Sequence, residues 1–489
     1  MTSTMTETYE TTIGLEIHVE LATASKMFCG CAVAFGGAPN TRTCPVCLGL
    51  PGSLPVVNER AVEHTVRIAL ALNCSIAKRS LFHRKNYFYP DMPKNYQISQ
   101  YDLPLGSGGY LAVSGDSGTT RVGITRVHLE EDTGKSQHVG GSGRIADSEY
   151  SLEDFNRAGT PLVEIVTEPD ITSASEARSF VSELRSLLES LGVSDVRMEE
   201  GSLRVDANVS VRRPGDTEHG TKVEVKNMNS IRSVGRALEY EQQRQGAALD
   251  AGEVLVQETR HFDEKTGTTS TLRSKEYAFD YRYFPEPDLV PLEPSERWIE
   301  HIRESLAELP AQRRERFLKR YGLGAKDVAL ITASRATAEW FESAAHAYEG
   351  DAKKIVNWII ADLFGLLNEA GIELHQVRFP PPHLAALVAL VDAGTISGKQ
   401  AKRVLAEMFE TGAEPGAIAS QQGLEQISDA GELEGAVEEA IAENAEAADK
   451  VRSGQLNTIR FLVGRVMKKT RGQANPGLVN ELIRRKLIP

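Results

Sequence analysis

Residues 11–21 (TTIGLEIHVEL) alternate without a break, with Ile13, Leu15, Ile17, Val19 and Leu21 apolar and polar side chains between them. A period of two predicts a strand with one face in a core and the other facing water or a site. Residues 203–211 repeat the pattern through Leu203, Val205, Ala207, Val209 and Val211. The turn-rich Arg213-Pro-Gly-Asp then leads to a run with Val223 and Val225 inward, which predicts a hairpin. Between these strands the period changes to that of a helix. Ser173 and Glu176 stand at capping-box spacing, and Ala177, Phe180, Val181, Leu184, Leu188 and Leu191 form one stripe that Gly192 ends.

Strand patterns dominate the first ~290 residues, and helix periods follow, as in residues 352–368 and 399–408. The run Phe284-Pro-Glu-Pro-Asp-Leu-Val-Pro-Leu-Glu-Pro separates the two regimes and predicts an interdomain linker. A polar, Gly-containing stretch at 413–423 predicts a hinge before a last small helical unit. Residues 434–448, rich in Ala and Glu, predict an exposed helix. The expected class is α+β, with domains over 1–294, 295–409 and 410–489. A chain of 489 residues exceeds what one hydrophobic core serves, so several domains are also expected on size alone.

Composition narrows the class. With 41% hydrophobic and 25% charged residues, the chain is ordinary for a globular protein, and no apolar run has the length of a membrane span. The start, MTSTMTETYE, lacks the basic and apolar regions of a secretory signal, so a cytoplasmic protein with no membrane partner is expected. A net charge of −13 opposes indiscriminate nucleic-acid binding. From Arg452 onward, however, nine Lys/Arg stand against one acid, Glu481. That local excess fits an RNA docked at one place, and equally a solvated helix face.

Four of the five cysteines lie within twenty residues: Cys29 and Cys31, then Cys44 and Cys47. Two close thiol pairs in one loop can present four thiolates to a tetrahedral zinc, and four sulfur ligands leave no place for substrate. The other reading is a loop of reduced thiols. On the first strand, alternation turns Glu16, His18 and Glu20 away from the apolar face. Two carboxylates and an imidazole at this spacing can converge on a divalent ion, and oxygen donors favour magnesium. More acids occur in Glu130-Glu131-Asp132 and at Glu164 and Glu168. Alternation puts Glu131 on the face of Val127 and Leu129, where it needs a partner or a strand end. The hairpin offers Arg204, Asp206 and Asn208 beside Lys222, Glu224 and Lys226, which suit a phosphate-and-metal site or plain cross-strand ion pairing. Lys85, Tyr87 and Tyr89 mix a cation with rings that stack on bases or half-bury at a strand end. Neither a GxxxxGK[ST] loop, a Rossmann glycine pattern in strand-to-helix context nor a GxSxG elbow is present.

The strings IGLEIHVEL, RKNYFYPDMPKNYQISQYDLPL, HLEEDTGKS, FNRAGTPLVEIVTEPD, MEEGSLRVDANVSVR, DYRYFPEPDL and RGQANPGLVNELI resemble the B subunits of the aspartyl/glutamyl-tRNA amidotransferases, nearly end to end. The resemblance implies an antiparallel-sheet cradle domain, an all-α helical domain and a small helical tail. It implies a carbon–nitrogen ligase with glutamine as amido donor, in which ATP phosphorylates the side-chain carboxylate of misacylated Glu-tRNA(Gln) or Asp-tRNA(Asn). The amidase, or A, subunit would supply ammonia, and the small C subunit would bridge the two. Carried over residue by residue, the magnesium site falls on Glu16, His18, Glu131 and Glu164, with Glu130 the alternative within its pair. Arg204, Asp206 and Asn208 would orient groups in the same pocket, and Lys85, Tyr87 and Tyr89 would form its nucleotide-binding rim. Cys29, Cys31, Cys44 and Cys47 would hold a structural zinc as a local staple. Arg460, Arg465, Lys468, Lys469 and Arg471 in the tail would grip tRNA. A tRNA-binding scaffold without chemistry of its own is the competing reading.

Overall fold

The computed structural model describes residues 9–115, 118–140, 148–274, 278–424, 430–470 and 473–488. They form two compact units, 1–309 and 310–489.

The first unit is built from strands β1 (Glu10–Glu20), β2 (Ser75–Ile76), β3 (His83–Asn86), β4 (Tyr96–Ser99), β5 (Gly106–Gly115), β6 (Gly118–Glu131), β7 (Lys135–Val139), β8 (Tyr150–Asp154), β9 (Pro161–Thr167), β10 (Leu203–Arg212), β11 (Val223–Met228), β12 (Glu258–Asp263), β13 (Thr268–Ser274) and β14 (Phe284–Pro285). Its principal helices are α1 (Glu59–Ala71), α2 (Ala174–Leu191), α3 (Ile231–Asp250) and α4 (Glu296–Glu304). The main sheet runs β13-β12-β11-β10-β1-β9-β6-β5-β2, and β14-β3-β4 and β7-β8 form smaller sheets. Its pairings are antiparallel except β11 with β12.

β1 is central, between β9 and β10. Ile13, Leu15, Ile17, Val19 and Leu21 are all buried in one core with Phe180, Val181 and Leu184 of α2, Val234, Ala237 and Leu238 of α3 and Val66 of α1. Burial of such a side chain is worth about 1.5–3 kcal/mol, so a one-residue slip of β1 would expose all five at a cost of roughly 10 kcal/mol. A loss of that size rivals the whole stability of a domain, so the register is fixed. The opposite face of β1 is thereby committed to Glu16, His18 and Glu20, which are half-buried.

α2 begins as the sequence predicts, with Ser173 Oγ accepting from the Glu176 backbone N–H at 3.1 Å, and Gly192 ends it at φ +66°. The reciprocal half of the capping box differs. Glu176 accepts from the Thr172 N–H at 2.9 Å instead of reaching back to Ser173. The predicted hairpin is present as β10 and β11, with Val223 and Val225 buried.

The proline-rich run is not a free tether. Phe284 and Pro285 pair with β3, Leu292 bridges to Ser80, and buried Glu286 accepts from Arg84 Nε and Nη2 at 2.7 and 2.8 Å. Proline lacks a ladder donor but tolerates an edge strand, which is how the run lies against the first unit. α4 then adds Ile302 to the same core, so this unit closes at Leu309.

The second unit is helical throughout its described residues and holds two hydrophobic clusters, one from Phe317 to Leu424 and one from Leu433 to Leu487. Residues 352–370 form a helix with a π-helical turn at Ile359–Leu363. The stretch expected to hinge contains the helix Pro415–Gln421, whose Ile418 and Ala419 are buried in the first cluster. The expected exposed helix is broken at Asn444 into Ala430–Glu443 and Ala445–Arg452, and Leu433, Val437, Ala440 and Ala448 are buried. Small alanines on one stripe allow close helix packing, which a reading weighted toward the glutamates misses. Among the described residues no helix is long and apolar enough to cross a membrane.

Candidate active site on the polar face of the sheet

The ladder pairings align the polar face row by row. Glu16 lies across from Asp206 on β10, and His18 lies between Arg204 on β10 and Glu164 on β9. On β6, His128 pairs with Glu164. His18 Nε2 stands 3.7 Å from both Glu130 Oε1 and Glu164 Oε2. His18, Glu130 and Glu164 each offer a ligand atom, and these atoms all lie within 4.8 Å of one another. One imidazole and two carboxylates make a donor set that fits a divalent ion.

His128, fully buried, stands behind this group. Its Nε2 is 3.2 Å from Glu164 Oε2 and 3.9 Å from Glu130 Oε2. Burial disfavours the imidazolium, but the charges of Glu164 and Glu130 and the hydrogen bonds to both together outweigh it and raise the pKa to about 9. For Glu130 and Glu164, burial acts upward while the two histidines act downward and prevail, keeping both carboxyls ionised. Ser99 Oγ donates to Glu130 at 3.2 Å, and Arg126 Nη2 is 3.5 Å from Glu164 Oε1.

Glu131 is elsewhere. Its Oε1 accepts from Lys94 Nζ and, at 2.9 Å, from the Ile98 N–H on β4. Side chains of consecutive strand residues leave opposite faces, so the pair cannot serve one ion from adjacent positions. The structure brings Glu130, not Glu131, to His18 and Glu164. Glu16 lies next along β1, where it accepts from Asn208 Nδ2 at 2.9 Å. Asp206 accepts from Lys226 Nζ at 2.5 Å, and Glu224 lies 3.5 Å from the same ammonium. Burial works against that charge, but Asp206 and Glu224 raise its pKa. Arg204 Nη2 donates to Asp132 Oδ2 at 2.9 Å. Burial and then the charge of Asp132 push Glu20 up to about 7.

Beside the carboxylates is a group of tyrosines. Lys85 Nζ lies 4.6 Å from the Tyr281 ring centre and 5.9 Å from that of Tyr87. Tyr283 stacks on Tyr101 with centroids 4.3 Å apart. Asn86 Nδ2 donates to the carbonyls of Tyr281 and Arg282, holding a turn in which Arg282 takes φ +46°. Burial raises the Tyr283 hydroxyl, and the charges of Glu130 and Glu164 raise it further. Tyr89 is exposed and takes no part in these ring contacts. His128 and Tyr283 are not among the candidates drawn from the sequence, and Glu130 is only the alternative within its pair. Alternation along β6 carries the signal for His128 and Glu130, because Arg126, His128 and Glu130 interleave with Val127 and Leu129.

The four cysteines also converge, each sulfur within 4.8 Å of the others. The Cys44 N–H donates to Cys47 Sγ at 3.2 Å. A hydrogen bond with Cys29 and the nearby Lys26 charge, against the pull of burial, bring the Cys47 thiol down to about 5. Burial raises Cys31 to about 11, while its hydrogen bond with Cys47 sends Cys29 far upward. Four sulfurs so close, with one already favoured as thiolate, suit a tetrahedral metal.

The family model described as the GatB/GatE catalytic domain matches residues 11–300, and a second described as the GatB domain matches 339–487. The B subunit of the aspartyl/glutamyl-tRNA(Asn/Gln) amidotransferase of Moorella thermoacetica is 54% identical over 98% of this chain and 100% of its own length. Those of Carboxydothermus hydrogenoformans and Caldanaerobacter subterraneus subsp. tengcongensis are 51% and 52% identical, each over 98% of this chain and 99% of the relative. The chain belongs to the GatB/GatE family. Both the carboxylate group and the cysteine group fall within the GatB/GatE catalytic match, and the basic tail falls within the GatB match. In that tail, Arg460, Arg465 and Lys468 are exposed and make no ion pair among the described residues, whereas Lys469 pairs with Glu439 and Glu443 at 2.9 and 2.7 Å. Arg471 lies outside the described residues.

Proposed function

We propose that this chain is the cytoplasmic B subunit of a heterotrimeric amidotransferase and carries out its ATP-dependent step. A carboxylate is a poor acyl donor, because its oxygen is a poor leaving group. The γ-phosphoryl of ATP would pass to the side-chain carboxylate of Glu-tRNA(Gln) or Asp-tRNA(Asn), giving an acyl phosphate and ADP. The amidase partner would release ammonia from glutamine, with the small third partner bridging the two chains. That ammonia would then displace phosphate and leave the amide.

The observation that carries this reading is the meeting of His18, Glu130 and Glu164 on one face of a sheet in a chain of this family. They would hold magnesium, which supplies charge neutralisation on the phosphates. His128 positions Glu164, and Ser99 positions Glu130. Asn208 orients Glu16 beside the group. Lys226, kept cationic by Asp206 and Glu224, and Arg204, oriented by Asp132, would face phosphate oxygens. Lys85, laid across Tyr87 and Tyr281, offers a further cation at the rim. The cysteine group would hold a structural zinc and take no part in the chemistry.

The test is reconstitution with both partner chains, followed by ADP and amide measurements with each misacylated tRNA. The proposal expects ADP formation that needs magnesium and is stimulated by misacylated tRNA, and its loss in Glu164→Gln. Unchanged ADP and amide formation in that variant would favour the scaffold reading.

A further inference from the structure

Lys26 is among the largest fully buried side chains of the molecule, with 1% of its surface exposed. A buried ammonium is expensive unless each of its donors is satisfied and an anion is near. Among the described residues no carboxylate pairs with it. Its Nζ instead donates to the Arg42 carbonyl at 2.8 Å, to the Phe155 carbonyl at 3.1 Å, and towards Cys47 Sγ at 3.7 Å. An ammonium has three N–H groups, and these are three acceptors. The backbone of the same residue serves the other cysteine pair, since the Lys26 N–H donates to the Cys31 carbonyl at 2.9 Å.

The surroundings of Lys26 belong to two pieces of chain. Arg42 leads into the second cysteine pair. Phe155 follows β8, and the strip around it is stitched to residues 38–42: Asn40 Nδ2 donates to the Glu153 carbonyl, and the Arg42 N–H donates to Asn156 Oδ1 at 2.7 Å. Met27, next to Lys26, donates its N–H to the Gly159 carbonyl at 2.7 Å, just before β9.

We infer that Lys26 is the positioning residue of the four-cysteine centre: its ammonium is the internal counter-charge to the thiolates and ties both cysteine pairs to residues 153–159. The inference rests on the zinc reading above. Four thiolates on one divalent cation carry a net charge of −2, and the buried part of it, at Cys47, is stabilised by a cation beside it. A hydrogen bond to a ligand sulfur also fixes the direction of its lone pairs, which is how outer groups tune a metal centre. Lys26 satisfies both requirements from one buried point.

The experiment uses the full chain purified in its complex. Zinc is counted per chain, its transfer to a chromophoric chelator is timed, and cobalt is substituted to read the sulfur-to-metal charge-transfer band. Lys26→Met keeps the stem and loses the donors. Zinc release about 10–100-fold faster is expected, together with a charge-transfer band moved to lower energy. A residue that merely filled space would change stability without moving the band. Wild-type release rate and band position in Lys26→Met would overturn the role of Lys26 while leaving the zinc centre in place. Wild-type protein without zinc would overturn both. Should Lys26→Met fail to accumulate, Lys26→Gln, which retains donors but no charge, is expected to accelerate release to a smaller degree. An unchanged rate there would again refute the inference.

Discussion

Glu164 is the side chain on which the polar face converges: His18, His128 and Arg126 all approach its carboxylate. Glu130 shares the two histidines, and Glu131 shares neither. This difference separates the variants. Glu130→Gln removes a charged donor while keeping its shape. Amidation should fall on the order of a hundredfold, and the magnesium concentration for half-maximal rate should rise. Glu131→Gln leaves the donor set intact, so the magnesium requirement should stay at the wild-type value whatever happens to the rate. A magnesium titration of both variants decides the matter, and a raised requirement in Glu131→Gln alone would place the ion wrongly here. Single residues were legible in proportion to their periodicity. Glu16, His18 and Glu20 alternate with five apolar neighbours, so their face followed from the letters. Glu130 and Glu131 are both buried, one on each face, so burial could not separate them, although alternation from Val127 and Leu129 puts Glu130 with His128. Lys26 gave no signal, because its role comes from carbonyls and a sulfur contributed by distant segments.

At the level of elements, α3 is fastened to the sheet edge by one carboxylate. Glu241 is fully buried and accepts from Thr269 Oγ1 at 2.5 Å, from Arg244 Nη2 at 2.8 Å and from Gln245 Nε2 at 3.1 Å, with Arg260 Nε 3.2 Å away. Burial opposes its charge, but hydrogen bonds from Arg244 and Thr269 outweigh that and hold the carboxyl below its ordinary value. A depressed folded-state pKa gives stability above the ordinary glutamate pKa of 4.5 and loses it as pH falls through the folded value. Glu241→Gln takes its carboxylate from Arg244, while Arg260 keeps Glu258 at 2.6 Å, so the unit should lose about 1–3 kcal/mol near neutral pH. The gap between wild type and variant should narrow as pH drops below 4.5. Urea midpoints at several pH values measure it, and a gap independent of pH would show that the charge of Glu241 does not carry the effect. The elements themselves were readable where one period ran unbroken, as in β1, α2 and the β10–β11 hairpin. The proline-rich run was not, since the same residues suit a loose linker and an edge strand. The pairing with β3, the Leu292–Ser80 bridge and the Arg84–Glu286 pair, all made across some two hundred residues of chain, decide between them.

For the whole molecule, the order of strands followed by helices was plain in the sequence. Where the first unit ends was not, because it depends on Ile302 of α4 reaching a core assembled far upstream. Charge is the other whole-molecule property. With a net charge of −13, the protein as a whole repels a polyanion, so RNA affinity has to come from cations that no internal acid has claimed. In the tail, Lys469 is claimed by Glu439 and Glu443, while Arg460, Arg465 and Lys468 are exposed without an ion pair among the described residues. Arg465 also lies 4.9 Å from the centre of the exposed Phe461 ring, a cation beside a surface on which a base can stack. Replacing Arg460, Arg465 and Lys468 by alanine should weaken tRNA binding steeply and flatten the log–log salt dependence by roughly one unit for each phosphate no longer held. Lys469→Ala should do much less, since what it removes is already neutralised. Glu130→Gln should leave tRNA affinity and its salt slope where they were, because it alters the chemistry and not the grip. Filter binding across a salt series separates these outcomes. If the triple variant bound tRNA with wild-type affinity and slope, the tail would not be the RNA-binding surface, and another part of this acidic chain would have to supply the cations.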